Sequence, residues 1–241
     1  MIYERIQKGR FLKRPNRFIA KIEINGKEET VHVKNTGRCA ELLVPGAEVF
    51  VRKSESAGRK TGWDLISVRK ADRLINMDSQ VTNKVVQEWI EAGRWFKDVK
   101  IVRPEVTYKN SRFDLYVEYE EKKAFIEVKG VTLEEEGVVK FPDAPSERAV
   151  KHLKELEEAV QDGYEAYVFF VVQMKGVRYF TPNRRTHKEF ADVLADAAET
   201  GVQVIAKDCF VTEDSIAIAD EVPVVLTNPQ LYEAPELLVE W

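Results

Sequence analysis

Asp114, Glu127 and Lys129 are the residues whose types and spacing point most directly to chemistry. They lie in Arg112-Phe-Asp-Leu-Tyr and Ile126-Glu-Val-Lys-Gly130, two stretches joined by the charged run Glu118-Tyr-Glu-Glu-Lys-Lys123. Both stretches read as β-strands of one hairpin. Side chains alternate along a strand, so Glu127 and Lys129 share a face while Ile126 and Val128 take the other. The hairpin brings Asp114 beside Glu127 on that shared face. Two carboxylates and an ammonium then meet on an otherwise apolar sheet. Buried carboxylates are costly unless neutralised, and a divalent cation neutralises both at once. An Asp…Glu-x-Lys set is what a metal-dependent phosphodiesterase needs: carboxylates to hold Mg²⁺ or Mn²⁺, and a lysine to offset charge developing on phosphate. The same residues also fit a cross-strand charge ladder on a solvated face. The apolar residues around them, Ala124-Phe-Ile126 and Val128, favour the buried site.

The elements that must position these groups follow on either side. Thr82 to Phe96 carries Val85, Val86, Trp89 and Ile90 at helical spacing, and Glu88 lies within this helix, where a solvated position is the default and packing across the sheet is the alternative that aims it at the same metal site. After Gly137 to Pro145, a helix through Gln161 has Val150, Leu153, Leu156 and Val160 as its buried stripe, with Arg148, Lys151 and His152 in its early turns, within reach of a phosphate or a carboxylate. The nearly continuous apolar run Tyr164 to Met174 reads as a strand covered on both faces, with Gln173 at its carboxyl end, where α/β sites form. Thr186-His-Lys-Glu189 reads as a capping box opening a helix to Gly201. Strands are expected over 202–211 and 215–226. Strand and helix alternate, so this part is α/β. The tail from Asn228 to Trp241 is expected to pack loosely or to contact another chain.

Residues 1–80 are different in character. Arg17 to Ile24 alternates, Asn25-Gly26 is a hairpin dipeptide, and Thr30 to Lys34 returns. Glu48 to Arg52 and Trp63 to Val68 add strands around the polar tip Ser54 to Gly62. Four or five short strands in so small a unit predict a barrel of oligonucleotide-binding type. Arg10, Lys13, Arg14 and Arg17, together with Lys8 and Lys21, interleave with Phe11 and Phe18, the mixture of cations and rings that a single-strand-binding surface uses. Each ring also fits a core position. Arg112, Arg148 and Lys151 of the second unit complete the expected nucleic-acid contacts. The boundary is placed near residue 78, giving units 1–78 and 79–241.

Net charge is −4, from 37 basic and 41 acidic side chains. It is unevenly spread: residues 1–70 hold 16 basic and 8 acidic side chains (+8), leaving 37 − 16 = 21 and 41 − 8 = 33 in the rest (−12). Such asymmetry fits a polyanion-facing module, a basic module packed on an acidic one, or both. No apolar run of about 18 residues is present, and no secretory leader is recognisable, so a cytoplasmic protein is expected. Cys39 and Cys209 imply no disulfide framework, and the three histidines show no zinc spacing. Phosphate-binding glycine loops and a serine-hydrolase elbow are absent. The sequence leaves the oligomeric state open, a homodimer included.

Taken together, several motifs resemble the sugar fermentation stimulation protein family. They are Asn35-Thr-Gly37 with Leu42-Leu-x-Pro-Gly46, Ser111-Arg-Phe-Asp114, Glu127-Val-Lys-Gly-Val-Thr-Leu133, Phe141-Pro-Asp-Ala144, Arg148-x-x-Lys-His-Leu153 and Val171-Val-Gln173. They fall in order across nearly the whole chain. The resemblance implies an OB-like barrel followed by an α/β domain like the PD-(D/E)xK nucleases, DNA binding rather than RNA binding, and a link to sugar utilisation. By the same resemblance Asp114 and Glu127 would be metal ligands, Lys129 the catalytic lysine, Glu88 the acidic residue of the first core helix, and Gln173 and Arg148 supporting residues. The chain departs from the family at Arg38-Cys39, where Ser-Met usually follows Asn-Thr-Gly, and at Ala149, often Gly. Two functions are therefore expected: a Mg²⁺- or Mn²⁺-dependent nuclease, or a DNA-binding regulator that does not cut.

Overall fold

The structure, a computed structural model, describes residues 1–35, 37–54 and 61–227. Most of the polar tip between Ser54 and Gly62, and the tail from Asn228, lie outside the described residues.

The N-terminal unit is built from β1 (Ile6–Asn16), β2 (Ile19–Ile24), β3 (Lys27–His32), β4 (Glu48–Lys53), β5 (Trp63–Lys70) and β6 (Arg73–Asn76). Their order is β3-β2-β1-β4-β5-β6, and parallel pairing of Val31 with Trp63 and His32 with Asp64 joins β3 to β5, closing a five-stranded OB-like barrel. The β2 alternation seen in the sequence buries Ala20, Ile22 and Ile24 inside it. Asn25 (φ 52°) and Gly26 (φ 75°) make the β2–β3 turn in the left-handed region that this dipeptide favours. β1 was not expected from the sequence. It is the longest strand, pairs with both β2 and β4, and bends through register shifts after Phe11 and Lys13.

The second unit contains α1 (Thr82–Glu91), β7 (Val99–Tyr108), β8 (Ser111–Tyr119), β9 (Lys122–Val131), β10 (Leu133–Glu135), β11 (Val138–Phe141), α2 (Glu147–Gln161), β12 (Glu165–Val172), β13 (Tyr179–Pro182), α3 (Lys188–Thr200), β14 (Gln203–Val211) and β15 (Ile216–Glu221). The main sheet has the order β15-β14-β12-β9-β8-β7, with β9, β12 and β14 parallel and the others antiparallel to their neighbours. Val85, Val86 and Ile90 of α1 pack with Leu115, Ile126, Val128, Phe169 and Val171 on one face. Leu153 and Leu156 of α2 and Phe190 and Leu194 of α3 pack with Phe113, Phe125, Phe170 and Val172 on the other. β12 is therefore covered on both sides, as its apolar run requires. A small sheet, β10-β11-β13, was not expected from the sequence.

The capping box is not formed. His187, not Thr186, is the N-cap of α3, because Asn183 takes the Thr186 and His187 amides into a tight turn and moves the helix start by one residue. Gly201 closes α3 at φ 113°, the left-handed cap expected there.

The two units meet along a polar seam. Gln173 Nε2 donates to Asn76 Oδ1 (3.0 Å) and to the Asp78 carbonyl (3.1 Å). Lys70 and Arg73 pair across the seam with Glu134, and Lys34 holds Asp78 at the end of the first unit. No helix among the described residues is long and apolar enough to cross a membrane.

Candidate functional site

The hairpin of β8 and β9 places the site. Its ladder runs from Tyr119↔Lys122 to Leu115↔Ile126. Beyond that the Asp114 side chain takes over from the backbone, its Oδ2 accepting from the Val128 N–H at 2.7 Å. Phe113 packs on the α2 side and Leu115 on the α1 side, so strict alternation breaks at Asp114. Its other oxygen, Oδ1, accepts from Asn83 Nδ2 on the first turn of α1, also at 2.7 Å.

Glu127 is 2% exposed. Its Oε1 is contacted by both Lys129 Nζ and His152 Nδ1, the latter reaching down from α2. Its Oε2 is buried and has no hydrogen-bond partner among the described residues. Burial raises the Glu127 carboxyl, but Lys129 and His152 outweigh it and hold the group below the usual carboxylate range. Asp114 moves the opposite way: burial first, then the Glu127 charge, push it up against the hydrogen bonds it accepts. Two carboxylates thus sit close together, one ionised readily and one reluctant, with an unsatisfied oxygen between apolar layers. An oxygen-seeking divalent cation fits that donor set, since carboxylate oxygens are its preferred ligands.

The remaining candidates are distributed as follows. Arg148 Nε donates to His152 Nε2 at 3.3 Å. Arg112, Arg148 and Lys151 line one groove of about 460 Å³ with Asn110, Ser111, Glu147 and His152, so these three cations are brought together around His152, which in turn contacts Glu127. Gln173, wholly buried, is directed to the seam with the barrel and not to Glu127 or Lys129. Its close approach to β9 depends on Gly130, where a Cβ would lie 2.5 Å from Gln173 Oε1. Glu88 is not brought to the pair. It is turned toward the Met1 ammonium (2.8 Å), and Asn83 holds the place on α1 that faces Asp114. The helical periodicity located α1 correctly, but Glu88 lies more than a turn beyond Asn83.

On the barrel, Arg10, Lys13 and Arg17 are exposed, and the Arg17 guanidinium lies 4.7 Å over the ring of Phe18, itself 44% exposed. Arg14 is committed inward: its guanidinium donates to the carbonyls of Arg17, Asn35, Gly37 and Arg38 at 2.7–2.9 Å. Phe11 is a core residue at 1% exposure.

His152 was noted in the sequence for its place on the helix but not assigned to the site. The i, i+4 spacing from Arg148 was the available signal. A second cluster, Glu147, His187 and Glu189, is the one trio of such side chains among the described residues with ligand atoms within 4.8 Å of one another. There His187 Nδ1 accepts from the Ser146 amide, which leaves the proton of the neutral ring on Nε2, the nitrogen facing Glu147. Both glutamates are exposed. Cys39 and Cys209 are buried and unlinked, and burial pushes the Cys39 thiol up to about 12.

Comparison with known proteins agrees with this architecture. Residues 12–77 match the SfsA N-terminal OB domain and residues 80–215 match the sugar fermentation stimulation protein RE domain. A sugar fermentation stimulation protein homolog of Clostridium beijerinckii is 62% identical over 226 residues, covering 94% of this chain and all of the relative. One from Desulfitobacterium hafniense is 60% identical over 228 residues, covering 95% of this chain and all of its own. Among solved structures, Pyrococcus furiosus SfsA in complex with Ca²⁺ superposes with a TM-score of 0.82 at 26% identity, over 93% of this chain and 98% of that one. With both units matched in order and relatives of this identity aligned end to end, the chain belongs to the sugar fermentation stimulation protein family.

Proposed function

We propose that the protein is a nucleic-acid-binding phosphodiesterase that uses a divalent cation held by Asp114 and Glu127, with DNA as the substrate class. The observation that carries this reading is Glu127. It is a fully buried carboxylate, held on one oxygen by Lys129 and His152 and left without a partner on the other, beside a second half-buried carboxylate. A relative of similar fold has been solved with Ca²⁺, an oxygen-seeking ion that fits the same donor chemistry. Mg²⁺ or Mn²⁺ would be the working ion.

When bound, such an ion supplies Lewis acidity toward a phosphoryl oxygen and a source of hydroxide at neutral pH. Asp114 and Glu127 supply the negative charge that retains it. Lys129 sits where its ammonium can turn from Glu127 to a phosphate oxygen and offset the charge that grows there. Arg112, Arg148 and Lys151 grip flanking phosphates in the adjoining groove. On the barrel, Arg10 and Lys13 offer phosphate contacts, and Phe18 with Arg17 offers a stacking platform. Gln173 acts at the seam, fixing β9 and β12 against the barrel.

The direct pairing of Lys129 with Glu127 favours a second reading, because it neutralises Glu127 without any ion. On that reading the protein is a DNA-binding regulator of sugar-utilisation genes and does not cut. Incubating labelled single- and double-stranded DNA with Mg²⁺ or Mn²⁺ separates the two. The nuclease reading expects cleavage by the wild type that falls at least a hundredfold in Asp114→Asn and Glu127→Gln, with DNA affinity retained. Salt-sensitive binding without cleavage in any of the three proteins would install the regulator instead.

A further inference from the structure

We infer that His152 is a positioning residue that sets Glu127 for cation binding, an inference that rests on the metal-site reading above. His152 is 4% exposed and projects from the second turn of α2. Its ring packs edge-on to Phe113 at 6.3 Å. The tautomer follows from its neighbours. Arg148 Nε can only donate, so His152 Nε2, 3.3 Å away, is the acceptor nitrogen. The proton of the neutral ring is then on Nδ1, and it is donated to Glu127 Oε1.

Glu127 Oε1 has a second donor in Lys129, but the two donors are not equivalent. Lys129 is a long chain with four rotatable bonds, and on the reading above its ammonium must leave Glu127 when phosphate arrives. The imidazole has two torsions and is locked between Phe113 and Arg148. His152 is therefore the donor that keeps Oε1 occupied, and Oε2 turned toward the cation, while Lys129 serves the substrate. Partners that orient a metal ligand in this way typically change metal affinity by about 10–100-fold when removed. Arg148 acts one step further out: it lines the phosphate groove and fixes the histidine tautomer, so the groove and the carboxylate are joined through one ring.

The test uses full-length, metal-free protein and Mn²⁺. Asparagine at 152 places an amide N–H near the position of Nδ1, whereas glutamine places its amide nearer Nε2. In calorimetric titration His152→Asn is expected to keep affinity within about threefold of wild type, and His152→Gln to lose about 10–100-fold. In ¹⁵N NMR of the metal-free wild type, the His152 ring should show the proton on Nδ1. Equal affinity in both variants, an equal loss in both, or a proton on Nε2 would each overturn the inference. Uptake that requires Asp114 yet ignores position 152 overturns it alone. Absence of Mn²⁺ uptake by the wild type, or uptake undiminished in Asp114→Asn, overturns the metal-site reading as well. The NMR arm stands even where a substituted chain fails to fold.

Discussion

Asp114 and Glu127 are neighbours held at different protonation set points, and that difference has a measurable consequence. The Asp114 carboxyl is raised by burial and by the charge of Glu127, so protons compete with a cation for it more strongly than for a solvated aspartate near pH 3.9. Relative to the unfolded chain, folding favours its protonated form, so the stability it contributes is present at low pH and is lost as pH rises through its raised value. Cation affinity has the opposite sign. Mn²⁺ binding should weaken as pH falls through the raised Asp114 value, and Asp114→Asn should remove that dependence along with most of the affinity. Titrations at several pH values check this; a pH-independent affinity would contradict it. At this scale the sequence was legible where strand parity decides the outcome, as for Glu127 and Lys129. It failed for Glu88 and Arg14, because which face of a helix or loop points inward depends on what packs there. Nothing within the sequence near Glu88 signals that Asn83 would face Asp114, or that Glu88 would turn to Met1.

Elements were legible in proportion to how strongly they are buried. β12 and the stripes of α1 and α2 carry long apolar patterns and emerge from periodicity alone. β1 and β7 do not. β1 has one fully buried side chain, Phe11, in eleven residues, and β7, an edge strand with Pro104, has none. Their strand conformation comes from pairing to neighbours, a tertiary effect that local sequence does not record. The loop after β3 shows how a charged residue can be structural. Arg14 ties four carbonyls from Arg17 to Arg38, two of them part-buried contacts at Asn35 and Gly37, and that loop in turn meets the second unit through Cys39 N–H to Asp143. Hydrogen bonds to a charged group contribute about 1.5–3 kcal/mol each at best, and part-exposed ones less. Arg14→Ala should therefore destabilise the protein by about 2 kcal/mol in urea unfolding. Arg10→Ala, at an exposed site, should change stability by less than about 0.5 kcal/mol and weaken DNA binding instead. The reverse pattern would show that Arg14 is a surface contact after all.

For the whole molecule, part of the basic excess of the barrel goes into its contact with the second unit. Lys70 and Arg73 serve the seam through Glu134, whereas Arg10, Lys13 and Arg17 remain exposed. The barrel thus docks on an acidic partner unit and still offers cations outward. The seam itself was not legible, because Gln173, Asn76 and Asp78 are far apart in the chain and each is ordinary alone. The order of a barrel followed by an α/β unit was legible, since short alternating strands give way to alternating strand and helix patterns along the chain. The proposed placement of a cation between Asp114 and the unpartnered oxygen of Glu127 can be read in an anomalous difference map from a crystal soaked in Mn²⁺. A peak is expected within bonding distance of both Asp114 and Glu127 Oε2, with His152 and Lys129 still on the Oε1 side. A map with no peak there, or with its only peak at Glu147, His187 and Glu189, would contradict it.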